Sequence, residues 1–320
     1  MTHFNEKMRL VYRRFFEIAL IIDAGYSFLY WYYHLHLNQL QGVREEIFQF
    51  LIPFLLSIVP AFIWLWPRIK LFDIKHKKRG KPDIAITIFA VFLMTVLTIV
   101  TLLYVSVMTG KLSPLQRIEQ VKPSSVTKYY SFEKLTTIPR YTAYYMNTSG
   151  PDRGSSKKEY HLYAAVPIYN TSELTAGEFY YWVGFQSSKK ISVNENAADR
   201  DQLLQELKNE LQEKVNQFNN SNVQFYERPG NTGMHANYNK AIKNEQYQQL
   251  GYGENSYTVF LPHYENFANR GRTNLIVLIG VVAGVALIWL AISLGYKFDE
   301  QRLRDFLEQK GQLDSSDRFS

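Results

Sequence analysis

Three long runs of this sequence contain no aspartate, glutamate, lysine or arginine: residues 47–67, 84–110 and 273–296. A bilayer core takes about 20 mostly apolar residues in a helix, and each run supplies them. Backbone crossing lipid must satisfy its own hydrogen bonds, so these runs are held to helix. A fourth stretch, about 15–35, is nearly as apolar but carries Glu17 and Asp23. It outruns the apolar core of a signal peptide and ends in Tyr30, Trp31, Tyr32 and Tyr33, rings that favour a membrane–water interface. The sequence therefore predicts four spanning helices, at about 15–35, 47–67, 84–108 and 274–295. Pro53 and Pro60 lie inside the second, where neighbouring helices satisfy the freed carbonyls. A mean hydropathy of −0.23 hides this bunching. A wholly soluble enzyme, a secreted disulfide scaffold and a disordered chain are excluded.

Orientation follows from the basic residues. The segment 68–83 holds Arg68, Lys70, Lys75, Lys77, Lys78, Arg79 and Lys81, and the amino-terminal flank holds Lys7, Arg9, Arg13 and Arg14. The loop between the first two spans has Arg44 against Glu45 and Glu46. The excess of basic residues beside cytoplasmic ends places the amino terminus, the 68–83 loop and the tail in the cytoplasm. The expected organisation is 1–110 as amino terminus and first three spans, 111–272 as an extracytoplasmic domain, 273–296 as the fourth span and 297–320 as a cytoplasmic tail. The net charge of +7 is explained by these flanks, so a bilayer is expected as partner and nucleic acid is not. The basic loop also suits anionic lipid.

Residues 111–272 are long enough for a core of their own. The segments 160–168, 178–186, 222–227 and 256–262 read as strands, with Phe179, Tyr181, Val183 and Phe185 sharing one face by period two. Between them, 197–218 reads as an amphipathic helix with Leu203, Leu207, Leu211, Val215 and Phe218 in one stripe, Asn196 as N-cap and a Glu210–Lys214 pair. A helix on one sheet face predicts an α+β domain, inserted in an α-helical membrane protein. The domain holds 16 of the 23 tyrosines, which suit half-buried strand positions or a surface for peptide or sugar.

Chemistry is sparse. With no cysteine, thiol catalysis, disulfides, zinc–thiolate sites and iron–sulfur clusters are excluded. G-x-S-G, G-x-S-x-G, H-E-x-x-H and the phosphate-loop pattern are absent. His161, His235 and His263 are scattered, so neither a catalytic residue, a metal site nor a cofactor is expected. The stretch 226–236 reads as a loop from strand to helix, in which Arg228, Asn231 and His235 suit an anionic ligand. Asp23 should face other helices and find a donor among Thr95, Thr98 and Thr101, either as a protonated structural hydrogen bonder or as a coupling site. Gly280 and Gly284 stand at G-x-x-x-G spacing, with Ala283, Ala291 and Gly295 on the same side of the helix. Such a row lets backbones approach, predicting contact with span three or with another protein.

Taken together, "FLIPFLLSIVPAFIWLWPRIKLF", "TGKLSPL", "KYYSF", "HLYAAVPIY", "YERPGNTG", "NKAIKN" and "FLPHYENFANRGR" resemble the amino-terminal, non-catalytic region of rhomboid-family intramembrane serine proteases of Bacteroidetes bacteria. In that family such a region precedes a multi-helix core carrying a Ser–His dyad, and no catalytic residue carries over to a position here. The resemblance implies an accessory, regulatory or substrate-recruiting role, with a rhomboid-like catalytic membrane domain or a membrane protein substrate as partner. The alternatives are a membrane sensor with a periplasmic ligand-binding domain, or a truncated record of the protease itself.

Overall fold

The computed structural model describes residues 4–36, 47–74, 82–121, 127–149, 157–169, 181–192, 197–230, 233–243 and 257–316. The helices are α1 (Arg13–His36), α2 (Ile47–Ile69), α3 (Pro82–Met108), α4 (Ala197–Asn216), α5 (Gly233–Ile242), α6 (Arg272–Gly295) and α7 (Glu300–Ser316). The strands are β1 (Leu112–Leu115), β2 (Tyr129–Phe132), β3 (Thr136–Thr137), β4 (Ala143–Ser149), β5 (Lys157–Tyr169), β6 (Tyr181–Ser192), β7 (Phe225–Glu227) and β8 (Thr258–His263). They form two compact units. One comprises Met1–Leu37, Glu46–Thr109 and Gly271–Ser320; the other comprises Asn38–Glu45 and Gly110–Arg270.

Three helices among the described residues are long and apolar enough to cross a membrane: Ile47–Ile69, Pro82–Met108 and Phe267–Gly295. The expected first span forms α1, but its arginines, Glu17, Asp23 and polar aromatics hold its hydropathy below that of the other three. Helix α3 is the hub of this unit and touches α1, α2 and α6. It buries Ala90, Leu93, Met94 and Leu97 against Phe15, Ile18 and Ile22 of α1 and Val285 and Trp289 of α6. The Phe15 and Trp289 rings stack at 4.5 Å. Outside this seam the side chains remain apolar: Leu20, Ile21, Phe28 and Leu29 of α1 are 68, 64, 60 and 61% exposed. Helix α2 includes a wide π turn, Ala61–Leu65, directly after Pro60, where the proline has no N–H to continue the ladder.

At the basic end of this unit, the segments after α2 and α6 lock together. Phe72 bridges Phe298, with Asp73 N–H donating to Lys297 O at 2.7 Å and Asp299 N–H to Leu71 O at 2.8 Å. Asp299 Oδ1 then caps α7 through the N–H groups of Gln301 and Arg302. Leu303 of α7 is buried in the same core as Phe72.

The second unit is an eight-stranded sheet in the order β1-β2-β7-β8-β6-β5-β3, with β4 also on β5. The pairs β1–β2 and β6–β8 are parallel and the others antiparallel. Period-two alternation divides the side chains between two cores. Val183, Phe185, Leu162 and Phe260 meet Leu207, Leu211 and Val215 of α4. Trp182, Tyr163 and Val259 meet Tyr238, Ala241 and Ile242 of α5. The sheet is therefore covered on both faces, not on one as the sequence predicted, because α5 takes the second. The stripe of α4 packs as expected at Leu207, Leu211 and Val215, with Phe218 beside it. Lys214 and Glu210 pair at 2.6 Å. Phe179, Asn196 and the Leu203 side chain lie outside the described residues. Tyr129, Tyr130, Tyr226 and Tyr238 are each at most 2% exposed, filling the sheet interior.

Candidate functional site

The parallel strands β6 and β8 stay together for three residue pairs, Tyr181–Thr258, Trp182–Val259 and Val183–Phe260. Beyond them they part. Strand β6 continues along β5 to Ser192, while Leu261, Pro262 and His263 of β8 pair with β7 on the other side. The chain leaves β6 towards α4 on one face, and β8 is entered after α5 on the other. Where the two strands part, a cleft of about 520 Å³ opens.

Its walls come from four segments. Strand β6 gives Gly184, Phe185 and Gln186; β8 and its continuation give Leu261, Pro262, His263 and Tyr264. The end of α4 and the turn after it give Lys214, Gln217, Phe218, Asn219 and Asn222, and α5 gives Met234 and Tyr238. Gly184 is required at the base: a Cβ there would lie 2.8 Å from Tyr238 Cζ and 2.9 Å from Leu261 Cδ2. Phe185 and Phe218 meet edge to face at 5.4 Å. Tyr264 and Met234 stand at the mouth, 57 and 39% exposed.

His263 is held from behind. Its ring stacks on Phe225 at 4.6 Å and its Nε2 lies 3.1 Å from Glu227 Oε2. The second oxygen of Glu227 pairs with Lys128 Nζ at 3.1 Å. Burial alone would raise the Glu227 carboxyl, but His263 and Lys128 outweigh it and hold the pKa below the ordinary 4.5. Burial likewise opposes the Lys128 ammonium, and the Glu227 carboxylate and the Tyr129 hydroxyl reverse this, leaving the pKa above 10.5. A fixed imidazole, several carboxamides and aromatic faces around one crevice are equipment for binding: directed hydrogen bonds beside apolar contact.

The ligand loop read from sequence lies elsewhere. Arg228 continues the β2–β7 pairing by donating its N–H to Lys128 O at 2.8 Å. His235 is in the first turn and a half of α5, not in a loop, because the helix already begins at Gly233. Burial, and then the nearby Arg228 charge, lower its pKa. Asn231 lies outside the described residues, as do Lys75, Lys77, Lys78, Arg79 and Lys81 of the basic loop. Of the rest of that loop, Arg68 donates to Trp64 O, and the Lys70 ammonium sits 3.6 Å from the centroid of the Trp66 ring.

Asp23 meets one of the expected threonines directly: Thr101 Oγ1 donates to Asp23 Oδ2 at 2.9 Å. Thr95 and Thr98 return their hydroxyls to Val91 O and Met94 O, one turn back on α3. The small-residue row on α6 is not the face that packs on α3. Among the described residues, nothing stands within 4 Å of where a Cβ would lie at Gly280, Gly284 or Gly295, and Ala283 and Ala291 are exposed. Trp289, fully buried, sits about 180° around the helix from Gly280 and sets the packing side instead. Within the described residues, contact of this row with span three is thus corrected.

Among the described residues, no group of three or more His, Cys, Asp or Glu side chains forms a metal cluster. No family model, curated protein or solved structure matches this chain.

Proposed function

We propose that the chain is a four-span membrane protein with residues 111–272 extracytoplasmic, and that it recruits substrate in a rhomboid-like intramembrane protease system. The cleft between β6 and β8 takes an extended polypeptide segment of a membrane protein substrate, and the small-residue row of α6 receives a helix of the catalytic domain. The span nearest the amino terminus is α1, which turns Leu20, Ile21, Phe28 and Leu29 outward. The observation that carries the reading is the parting of β6 from β8. From Gly184 to Ser192, β6 is paired with β5 on one edge and, among the described residues, with no strand on the other. An extended chain adds to such an edge through its backbone, and flanking pockets select its side chains. Phe218, Tyr264 and Gln186 are the groups placed to do so.

The test uses the full chain in lipid nanodiscs and a transmembrane reporter with an extended outer segment. Phe218→Ala and Tyr264→Ala should each weaken reporter binding by about tenfold, the usual cost of truncating an aromatic anchor. Met146→Ala, on β4 away from the cleft, should leave it unchanged. Equal binding by all variants would refute the assignment of the cleft.

A further inference from the structure

Two segments of the membrane unit pass through a π turn just before they present arginine. Met8–Tyr12 forms one, directly before Arg13 and Arg14 of α1, and Ala61–Leu65 forms the other, shortly before Arg68 of α2. A π turn holds an extra residue, so it shifts the direction of the side chains that follow, and such turns recur at functional sites. Val11 and Leu65, one from each turn, are both fully buried in the same core. The two turns are thus packed on a common base, and the arginines that follow them come together.

Glu17 stands among these arginines. Its Oε1 accepts from Arg13 Nε and its Oε2 from Arg14 Nη1, each at 2.7 Å. Arg68 lies close enough to feel the charges of both Arg14 and Glu17. Its own hydrogen bond goes to Trp64 O, and its Nε is enclosed without an acceptor among the described residues. Both oxygens of Glu17 are already engaged, so three guanidinium groups share one carboxylate and a surplus of positive charge remains. That surplus is open to the outside: the Arg13 and Arg14 side chains are 73 and 43% exposed, and Arg68 is partly exposed.

The position names the anion. Arg13 and Arg14 stand where the apolar run of α1 begins, and Arg68 where that of α2 ends. This is the level of the head groups, where basic side chains meet anionic lipid. Guanidinium groups bind phosphate oxygens in pairs, and Arg13 and Arg14 each use one N–H on Glu17 and keep the others. We propose that Arg13, Arg14 and Arg68 bind the phosphodiester of an anionic membrane phospholipid, and that Glu17 competes with it for the arginines. The inference rests on the membrane unit lying in a bilayer and is independent of the reading of the cleft.

The test is native mass spectrometry of the full chain released from nanodiscs of equal phosphatidylglycerol and phosphatidylethanolamine. Phosphatidylglycerol should be retained in preference. Arg14→Gln and Arg68→Gln should each cut that preference about fivefold, the scale of one basic residue at an anionic surface. Arg68→Lys, which keeps the charge, should hold it, and circular dichroism melting shows that each variant is folded. Arg272→Gln removes equal charge at the start of α6, the opposite end of that helix from the Leu294 carbonyl held by Lys7, and should change nothing. Glu17→Gln should raise the preference about fivefold, where loss of a purely structural ion pair would not. Equal retention of both lipids by the unaltered chain, or equal losses in Arg14→Gln, Arg68→Gln and Arg272→Gln, would overturn the site. A fall in Glu17→Gln would overturn the competition. Displacement by millimolar soluble glycerol phosphate would overturn the assignment to lipid, and a chain that did not enter the nanodisc would overturn the membrane reading itself.

Discussion

Thr101 of α3 donates a 2.9 Å hydrogen bond to Asp23 of α1, joining α1 to the hub of the membrane unit. A carboxyl among apolar helices is tolerated where another helix answers it, and interhelical bonds of this kind contribute about 0.6 kcal/mol on average and up to about 1.7. Asp23→Asn keeps an acceptor for Thr101 and should leave stability in detergent within about 0.5 kcal/mol. Asp23→Leu should lower it by about 1 kcal/mol. A loss in the Asn variant equal to that in Leu would show that the carboxyl itself, not the hydrogen bond, is what matters.

Gly184 and Tyr238 share the base of the cleft so closely that one methyl group decides the fit. Gly184→Ala should destabilise the sheet unit by about 1–3 kcal/mol, the cost of overpacking a filled core. Tyr238→Ala introduced with it should recover part of that loss, a non-additivity expected of side chains in contact. Urea unfolding of the single and double variants measures it; strictly additive losses would mean that the two do not clash.

The Lys128–Glu227–His263 cluster makes stability depend on pH at both extremes. Glu227 has a lowered pKa in the folded chain, so its contribution is full above its ordinary value of 4.5 and is lost as pH falls through the folded value. Lys128 has a raised pKa, so its contribution is full below 10.5 and is lost as pH rises through the folded value. Thermal melting followed from pH 2 to 12 should therefore show losses at both ends. Glu227→Gln should flatten both, because it removes the shifted carboxylate and the partner that raises Lys128. An acid limb unchanged by that substitution would contradict the cluster's part in stability.

On α6, small and large residues divide the labour. Gly280→Leu with Gly284→Leu should leave the melting of the chain within about 0.5 kcal/mol, since among the described residues no atom lies within 4 Å of a side chain's first carbon at either position. Trp289→Ala should cost about 3–5 kcal/mol by emptying a fully buried site. The double Leu variant should still disrupt co-purification with a catalytic partner helix, which circular dichroism of the chain alone does not register.

What the sequence disclosed follows the range of the forces involved. The stripe of α4 and the alternation of β6 are local, so Leu207, Leu211, Val215, Val183 and Phe185 announce their buried faces without reference to the rest of the chain. Parallel pairing of β6 with β8 joins segments far apart in sequence, and nothing in Tyr181–Val183 or Thr258–Phe260 marks it. The cleft was illegible for the same reason: Gln186, Phe218, Tyr238 and Tyr264 are individually ordinary and become a site only when the sheet parts. Helix α5 was half hidden because its ten residues begin with a glycine and its buried face, Asn237, Tyr238, Ala241 and Ile242, is only two turns long. The glycine row of α6 is real in sequence, but a glycine says only where approach is allowed, and the bulk of Trp289 decided which side approaches.

The most direct test of the account is hydrogen–deuterium exchange of the full chain in nanodiscs, with and without the transmembrane reporter substrate. The account predicts slowed exchange at the open edge of β6, from Gly184 to Ser188, and at Leu261 and His263, with β1 and β2 unaffected. Slowed exchange confined to β1 and β2, or none anywhere in Gly110–Arg270 at saturating reporter, would contradict it.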